Sequence, residues 1–307
     1  MSAWSLADVP SLEGRTVVVT GPTSGLGEVT ALELARAGAR VVLAARSEAK
    51  LDVTEADIRR EVPGARLERL VVDLSSLASV RAAATEAQRL GAIDVLVNNA
   101  GVMATPARRT DDDLDLQMAT NHFGPFLLTG LLLPQLVDGG EGRVVTVSSM
   151  MHTIARTPPL GDPRRAPRRY SRWGVYGQTK LANLLFTHEL QRRATAAGLP
   201  LRALAAHPGY ASTHLLSYGQ TGGSGGGVAS ILDAVTRFTA QSAAQGAEPT
   251  IMAATADLPG GTFCGPGGFR GIRGKPRVVG STALSRDAEA QRQLWELSEE
   301  TVGLTWP

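Results

Sequence analysis

Cysteine is almost missing from this chain: Cys264 stands alone among 307 residues. An internal disulfide is therefore excluded, and with no cluster of cysteine or histidine at ligand spacing, neither a structural zinc site nor any other metal site is expected. A reducing compartment, the cytoplasm, suits such a composition. Charge of one sign is lacking too, since 31 Lys+Arg stand against 29 Asp+Glu. A net charge of +2 is too small to argue for a nucleic-acid partner. No apolar run approaches the ~18 residues of a transmembrane anchor; the most apolar stretch, residues 126–133, is broken by Thr129 and Gly130 and followed by Pro134. Residues 1–14 carry Asp8 and Glu13 and have neither a basic head nor an apolar run, so they read as an N-terminal extension rather than a secretory signal. A hydrophobic content of 43% suits one soluble globular domain over residues 1–307.

Lysine is scarce as well: only Lys50, Lys180 and Lys275 occur among the 31 basic residues. Lys180 follows Tyr176 by four positions, which on a helix puts an ammonium and a phenol on one face, one turn apart. A free phenol has a pKa near ~10, so proton exchange near neutrality requires a shift of about three units, or roughly 4 kcal/mol. One unit charge ~4 Å away at an effective dielectric of ~20 interacts by about that much, before desolvation takes its share. Lysine, a compact charge with a tunable pKa, suits this task where arginine does not. The spacing alone is common on helices, and the rest of the chain gives it weight.

Residues 15–20, Arg Thr Val Val Val Thr, predict a strand buried on both faces of a parallel sheet. A turn follows at once: Gly21, Pro22, Thr23, Ser24, Gly25, Leu26 and Gly27, then a helical stretch to Arg36. Strand, glycine turn and helix form a phosphate cradle, because glycine lets the backbone approach a pyrophosphate and the helix N-terminus offers free N–H groups. An ordinary turn would need fewer than these three glycines. Further buried strands are expected at 39–45, 67–72, 93–97, 143–147 and 201–206, and a last one around 262–264, with helices between them. Seven strand candidates alternating with helices imply an α/β fold, a doubly wound parallel sheet with one nucleotide site along its carboxyl edge. Where the second strand ends stands Arg46 rather than an acidic residue. A guanidinium there suits the 2′-phosphate of NADP over NAD, the alternative being a solvated residue at a strand end. Between residues 114 and 136 a long helical pattern contains Asn121 and Pro125. Pro125 has no N–H, so the Asn121 carbonyl loses its helical partner, and the helix should bend there.

Thr-Gly-x-x-x-Gly-x-Gly from Thr20, Asn-Asn-Ala-Gly at 98–101, Ser148-Ser149, and Tyr-x-x-x-Lys at 176–180 occur in this order. Together they resemble the short-chain dehydrogenase/reductase family over nearly the whole chain. The resemblance implies a Rossmann fold, a nicotinamide cofactor and hydride transfer between it and a carbonyl or alcohol. It implies that Gly21, Thr23, Ser24, Gly25, Leu26 and Gly27 hold the cofactor phosphates. Asp73 with Leu74 would meet the adenine, the bland alternative for Asp73 being to start the next helix. Asn99, Ala100 and Gly101 would line the adenosine ribose, and Pro208, Gly209 and Thr213 would face the nicotinamide carboxamide. In the active site, Tyr176 would exchange the proton, Lys180 would lower its pKa and hold the nicotinamide ribose, and Asn121 would hold a relay water. Ser149 would position the carbonyl, with Ser148 as the fallback.

Serine and tyrosine are 27 positions apart, separated by an arginine- and proline-rich insert at 154–174. That insert resembles the retinol dehydrogenase-like branch; its arginines suit an anionic substrate, a membrane surface or, more simply, a solvated loop. A lipophilic carbonyl or alcohol is the substrate class this implies, with Tyr210 and Leu215 as pocket candidates and Met150, Met151 and His152 as one wall, structural packing being an equal account of those three. Residues 210–240, with six glycines among residues 219–227, read as a substrate lid or a passive linker. The helix after Tyr176 is in relatives a subunit interface, which implies a homodimer or homotetramer. The competing reading is a sensor or scaffold that binds NADP without chemistry, for which Ser149 would have no use.

Overall fold

Valine runs without a polar interruption become the middle of the sheet, because parallel strands are covered on both faces. A computed structural model describes residues 4–166, 169–209, 242–268 and 271–306. Strands β1 (Thr16–Thr20) and β4 (Val95–Asn98) are buried throughout. Strands β2 (Arg40–Ala45), β5 (Gly142–Val147) and β6 (Leu201–Ala206) are buried at all but one or two positions. With β3 (Arg66–Val71), β7 (Phe263–Pro266) and β8 (Pro276–Val278) they form an eight-stranded sheet in the order β3-β2-β1-β4-β5-β6-β7-β8. All neighbours run parallel except β7 and β8. Strand β8 adds one to the seven expected; three residues are too short a run to be read from periodicity.

The third strand differs from expectation. It is the outer edge of the sheet, and of its residues only Leu70 is buried. Its charges are used laterally: Glu68 pairs with Arg40 at 3.1 Å and also with Arg89, while Arg69 pairs with Glu55 at 2.5 Å. Charged side chains on an edge discourage pairing with another chain.

The pleat sends alternate residues of one strand into two cores. Val17 and Val19 pack with Val41, Leu43, Val95 and Val97 under α1 (Gly25–Arg36) and α2 (Glu48–Glu61). Val18 packs with Val42, Leu96 and Val144 on the opposite face. There lie α3 (Leu77–Ala87), the short α4 (Leu116–Met118), α5 (Gly124–Leu131), α6 (Leu133–Asp138) and α7 (Arg172–Ala196). Each such fully buried side chain contributes roughly 1.5–3 kcal/mol. Helix α8 (Ala243–Thr255) joins the first core through Met252 and Ala253, and α9 (Ala288–Val302) closes the second. Its Trp295 meets Trp306 at 4.6 Å and Phe126 at 5.1 Å, ring centre to ring centre. Leu181, Ala182 and Leu185 of α7 pack on Ala290 and Leu294 of α9, so this face of α7 is covered within the chain.

From β1 the chain winds outward to β2 and β3, then returns to β4 on the other side and proceeds to β8. The crevice where the winding reverses lies at the carboxyl ends of β1 and β4, the place where a doubly wound sheet binds a nucleotide. Among the described residues no helix is long and apolar enough to cross a membrane, and none of their His, Cys, Asp and Glu side chains form a group that could hold a metal ion.

Candidate active site

At the winding reversal the strand ends are tied by polar groups. Thr20 Oγ1 donates to the Val97 carbonyl at 3.2 Å and accepts from the N–H groups of Asn99 and Ala100, each at 3.0 Å. Asn99 Nδ2 returns to the carbonyls of Thr20 at 2.8 Å and Gly21 at 3.2 Å. Gly21 leaves the strand at φ +65°, and a Cβ on Gly27 would collide with the Gly21 carbonyl and the Asn99 amide. Only glycine allows α1 to begin this close to the strand. Ser24, at the helix N-cap, makes no side-chain cap, so the first N–H groups of α1 are not claimed by that hydroxyl. A glycine-lined backbone with open N–H groups at a helix N-terminus fits a pyrophosphate.

Arg46 stands exposed just past β2. Asp73 lies two residues past β3; its Oδ1 accepts from the Ser75 N–H at 2.9 Å and hydroxyl at 2.6 Å. The start of α3 is capped instead by Ser76, at 3.3 Å from the Ser79 N–H. Asp73 is thus not the cap of that helix, although its bonds to Ser75, Ser76 and Ser79 shape the turn that leads into it.

On the other side of the crevice, α7 presents Tyr176 and Lys180, and its start is capped by Ser171. Three bonds clamp this helix to the end of β5. Lys180 Nζ and Asn183 Nδ2 each donate to the Val147 carbonyl at 3.0 Å, and Ser148 Oγ donates to the Lys180 carbonyl at 2.7 Å. Ser148 is committed to the helix backbone. Ser149 opens a 3-10 turn (Met150–Ile154), and its hydroxyl acts on the Tyr176 phenol, easing its ionisation. Asn121 sits in a π-helical turn (Ala119–Phe123) directly before Pro125, so the disturbance expected from the missing N–H takes that form. Its Nδ2 donates to Thr179 Oγ1 at 3.0 Å and the Val102 carbonyl at 2.9 Å, and its Oδ1 accepts from the Val102 N–H at 2.7 Å.

One expectation fails in this geometry. Burial pushes the Tyr176 phenol up to about 12, with the Ser149 hydrogen bond acting the other way. Burial also pushes the Lys180 ammonium down to about 8. Its Nζ lies 5.6 Å from the centre of the Tyr176 ring and is turned to the Val147 carbonyl. Both groups are 5% exposed or less, so loss of water disfavours both charged forms and outweighs their attraction.

Four catalytic candidates, Asn121, Ser149, Tyr176 and Lys180, meet at one end of the sheet. The glycine turn, Asn99, Ala100 and Gly101 are adjacent to them: a Cβ on Gly101 would lie 3.1 Å from Asn121 Oδ1 and 3.6 Å from Lys180 Nζ. Pro208 and Gly209 follow β6 at the same edge. Thr213 and the proposed lid, 210–240, lie outside the described residues. His122 is packed among Phe123, Phe126 and Phe186 and bonds Ser298 at 2.8 Å.

Sequence reasoning missed the supporting residues. Thr20, Thr179 and Asn183 act through partners distant in the chain, and only Thr20, inside the glycine motif, carried a local signal. Gln117 was missed as well; its Nε2 donates to the Tyr170 hydroxyl at 2.8 Å and the Arg172 carbonyl at 3.1 Å, and its Oε1 accepts from the Ala104 N–H at 2.9 Å. The insert is therefore more than a solvated loop. Arg164 also reaches the Thr301 carbonyl of α9 at 3.0 Å.

Comparison with known proteins agrees with this geometry. Residues 15–159 match the family described as short chain dehydrogenase. The chain is 36% identical to retinol dehydrogenase 13 of Homo sapiens over 303 residues, 97% of this chain and 87% of that protein. A solved structure of an uncharacterized protein from Mycobacterium Paratuberculosis is similar over the whole of both chains, with a TM-score of 0.81 and 44% identity. A second, described as an NAD(P) dependent gluconate 5-dehydrogenase from Beutenbergia cavernae with bound NADP at low occupancy, shares 25% identity. Its TM-score is 0.61, over 80% of this chain and 91% of that one.

Proposed function

The chain belongs to the short-chain dehydrogenase/reductase family, on its retinol dehydrogenase-like branch, and is an oxidoreductase of CH–OH and C=O groups; from that premise we propose an NADP(H)-dependent enzyme acting on a lipophilic carbonyl or alcohol. The observation that carries the reading is the convergence of Ser149, Tyr176, Lys180 and Asn121 at one end of the sheet, with Lys180 one turn along the helix from Tyr176 and Asn121 bonded to Thr179 between them. NADP, when bound, supplies or accepts the hydride. Tyr176, held in its protonated form by burial, gives its proton to the substrate oxygen in the reducing direction. Ser149 donates a hydrogen bond to the same oxygen and fixes the carbonyl. Lys180 holds the nicotinamide ribose and, with Asn121, returns a proton to Tyr176 through water. The glycine turn with Thr23, Ser24 and Leu26 holds the phosphates, Asp73 and Leu74 the adenine, and Pro208, Gly209 and Thr213 the carboxamide.

A lipophilic substrate is supported by partly exposed Met150 and Met151 and by Ile154 and Trp173, which are 45% and 41% exposed around Tyr176. The retinol dehydrogenase likeness points the same way. Cytoplasmic location is supported by Cys264, a buried free thiol. A screen of long-chain and aromatic aldehydes and ketones, following NADPH oxidation, tests the assignment against Tyr176→Phe. NADPH binding with no turnover of any carbonyl would sink it. For the cofactor, the expected outcome is that Arg46→Ala lowers kcat/KM for NADPH about tenfold and leaves that for NADH in place. An unchanged ratio would remove Arg46 from the selection.

A further inference from the structure

Ser149 has two tasks that pull on the same backbone. Its hydroxyl points to the Tyr176 phenol and also accepts the Met151 N–H at 3.2 Å. Its carbonyl accepts the main-chain N–H of His152 at 3.1 Å, and the His152 ring closes on that carbonyl with Nδ1 at 2.7 Å. A carbonyl oxygen can only accept, so Nδ1 carries the proton and Nε2 is the bare nitrogen. His152 is 5% exposed, and its Nε2 has no hydrogen-bond partner among the described residues. A ring that merely filled space would gain nothing from that open nitrogen, since an unpaired buried polar atom is costly. Phe263 of β7 stands edge-on to this ring at 5.8 Å and 82°. Beyond Phe263 lies His207, whose Nδ1 accepts the Gly209 N–H at 3.2 Å.

We infer that His152 is a positioning residue: its ring N–H, steadied by Phe263, locks the Ser149 carbonyl and so aims the Ser149 hydroxyl at the substrate oxygen. This rests on the reading of Ser149 as the group that fixes the carbonyl. The doubly held carbonyl prevents the peptide after Ser149 from rotating, and the hydroxyl direction follows from that peptide. Phe263, from the far side of the sheet order, makes the arrangement depend on β7 and not only on the turn itself.

The test uses the full chain with NADPH and the best carbonyl of the screen. His152→Phe keeps the ring and removes the donor, whereas His152→Asn offers an amide N–H close to where Nδ1 stands. The expected result is a kcat lowered roughly tenfold in the phenylalanine variant, with the NADPH dissociation constant unchanged, and most of the loss restored in the asparagine variant. Equal kcat values for the two variants, with Ser149→Ala inactive, would overturn the role of His152 alone. Full activity of Ser149→Ala would instead overturn the reading of Ser149, and this inference with it. Nitrogen-15 spectra of the unliganded wild type give a second readout without turnover: the Nδ1-protonated tautomer is expected for His152, and the Nε2-protonated one would sink the lock.

Discussion

The two sides of the crevice are tied down by different means. At the ends of β1 and β4, Thr20 and Asn99 make only neutral hydrogen bonds to backbone, and the space is kept by glycine. At the ends of β5 and the middle of α7, a lysine and a phenol are buried together and neither gains an opposite charge. The first arrangement stabilises a shape; the second spends stability on chemistry. A cofactor cradle needs close approach and fixed donors, while a proton-exchanging group needs a perturbed environment.

Substitutions can break that contrast. The largest effect is expected for Ser149→Ala, about 10²–10³ in kcat with the melting temperature retained, because it removes a donor to the reacting oxygen. Next comes Lys180→Met. The folded pKa of Lys180, about 8 against the model-compound 10.5, means the buried charge costs about 3 kcal/mol below pH 8. Between pH 8 and 10.5 the unfolded chain binds the extra proton, so wild-type stability should rise with pH across that window. The methionine variant should turn over more slowly, be more stable at pH 7, and lack that rise; denaturant titrations at pH 7 and 10 check it. A wild type whose stability is flat from pH 8 to 10 would show that the ammonium is better solvated than its burial indicates.

Asn99→Ala should cost about 1–2 kcal/mol of stability and weaken NADPH binding while kcat at saturation changes little, as it loosens only the cradle. Calorimetry with and without cofactor separates the two. Smallest is Ser148→Ala, about 1 kcal/mol from the lost bond to the Lys180 carbonyl, with most of the activity kept. Should Ser148→Ala be dead and Ser149→Ala active, the two serines have been assigned in the wrong order.

Legibility in the sequence followed the range of the interactions. The glycine turn, the Tyr176–Lys180 spacing and an irregularity before Pro125 could be read because each depends on residues within one or two turns of chain; that the irregularity is a π turn and not a bend could not. Asp73 could be placed at the end of the third strand, but that Ser76 and not Asp73 caps α3 could not be read. Ser148 and Ser149 are neighbours with the same side chain, and only the Lys180 carbonyl, 32 residues on, distinguishes them. β3 read as buried from its own residues, yet a strand's exposure depends on how many neighbours the sheet gives it.

By itself, then, the order of residues determined which backbone segments become most of the strands and helices, where glycine leaves room beside a helix N-terminus, and which four side chains are candidates for the chemistry. Those are matters of local sterics and spacing. The direction of the Tyr176 shift, the contact of the His152 ring with the Ser149 carbonyl and the different bonding partners of two adjacent serines were decided by tertiary structure. Desolvation and hydrogen-bond partnership sum over everything packed around a group, and that surrounding is drawn from all parts of the chain.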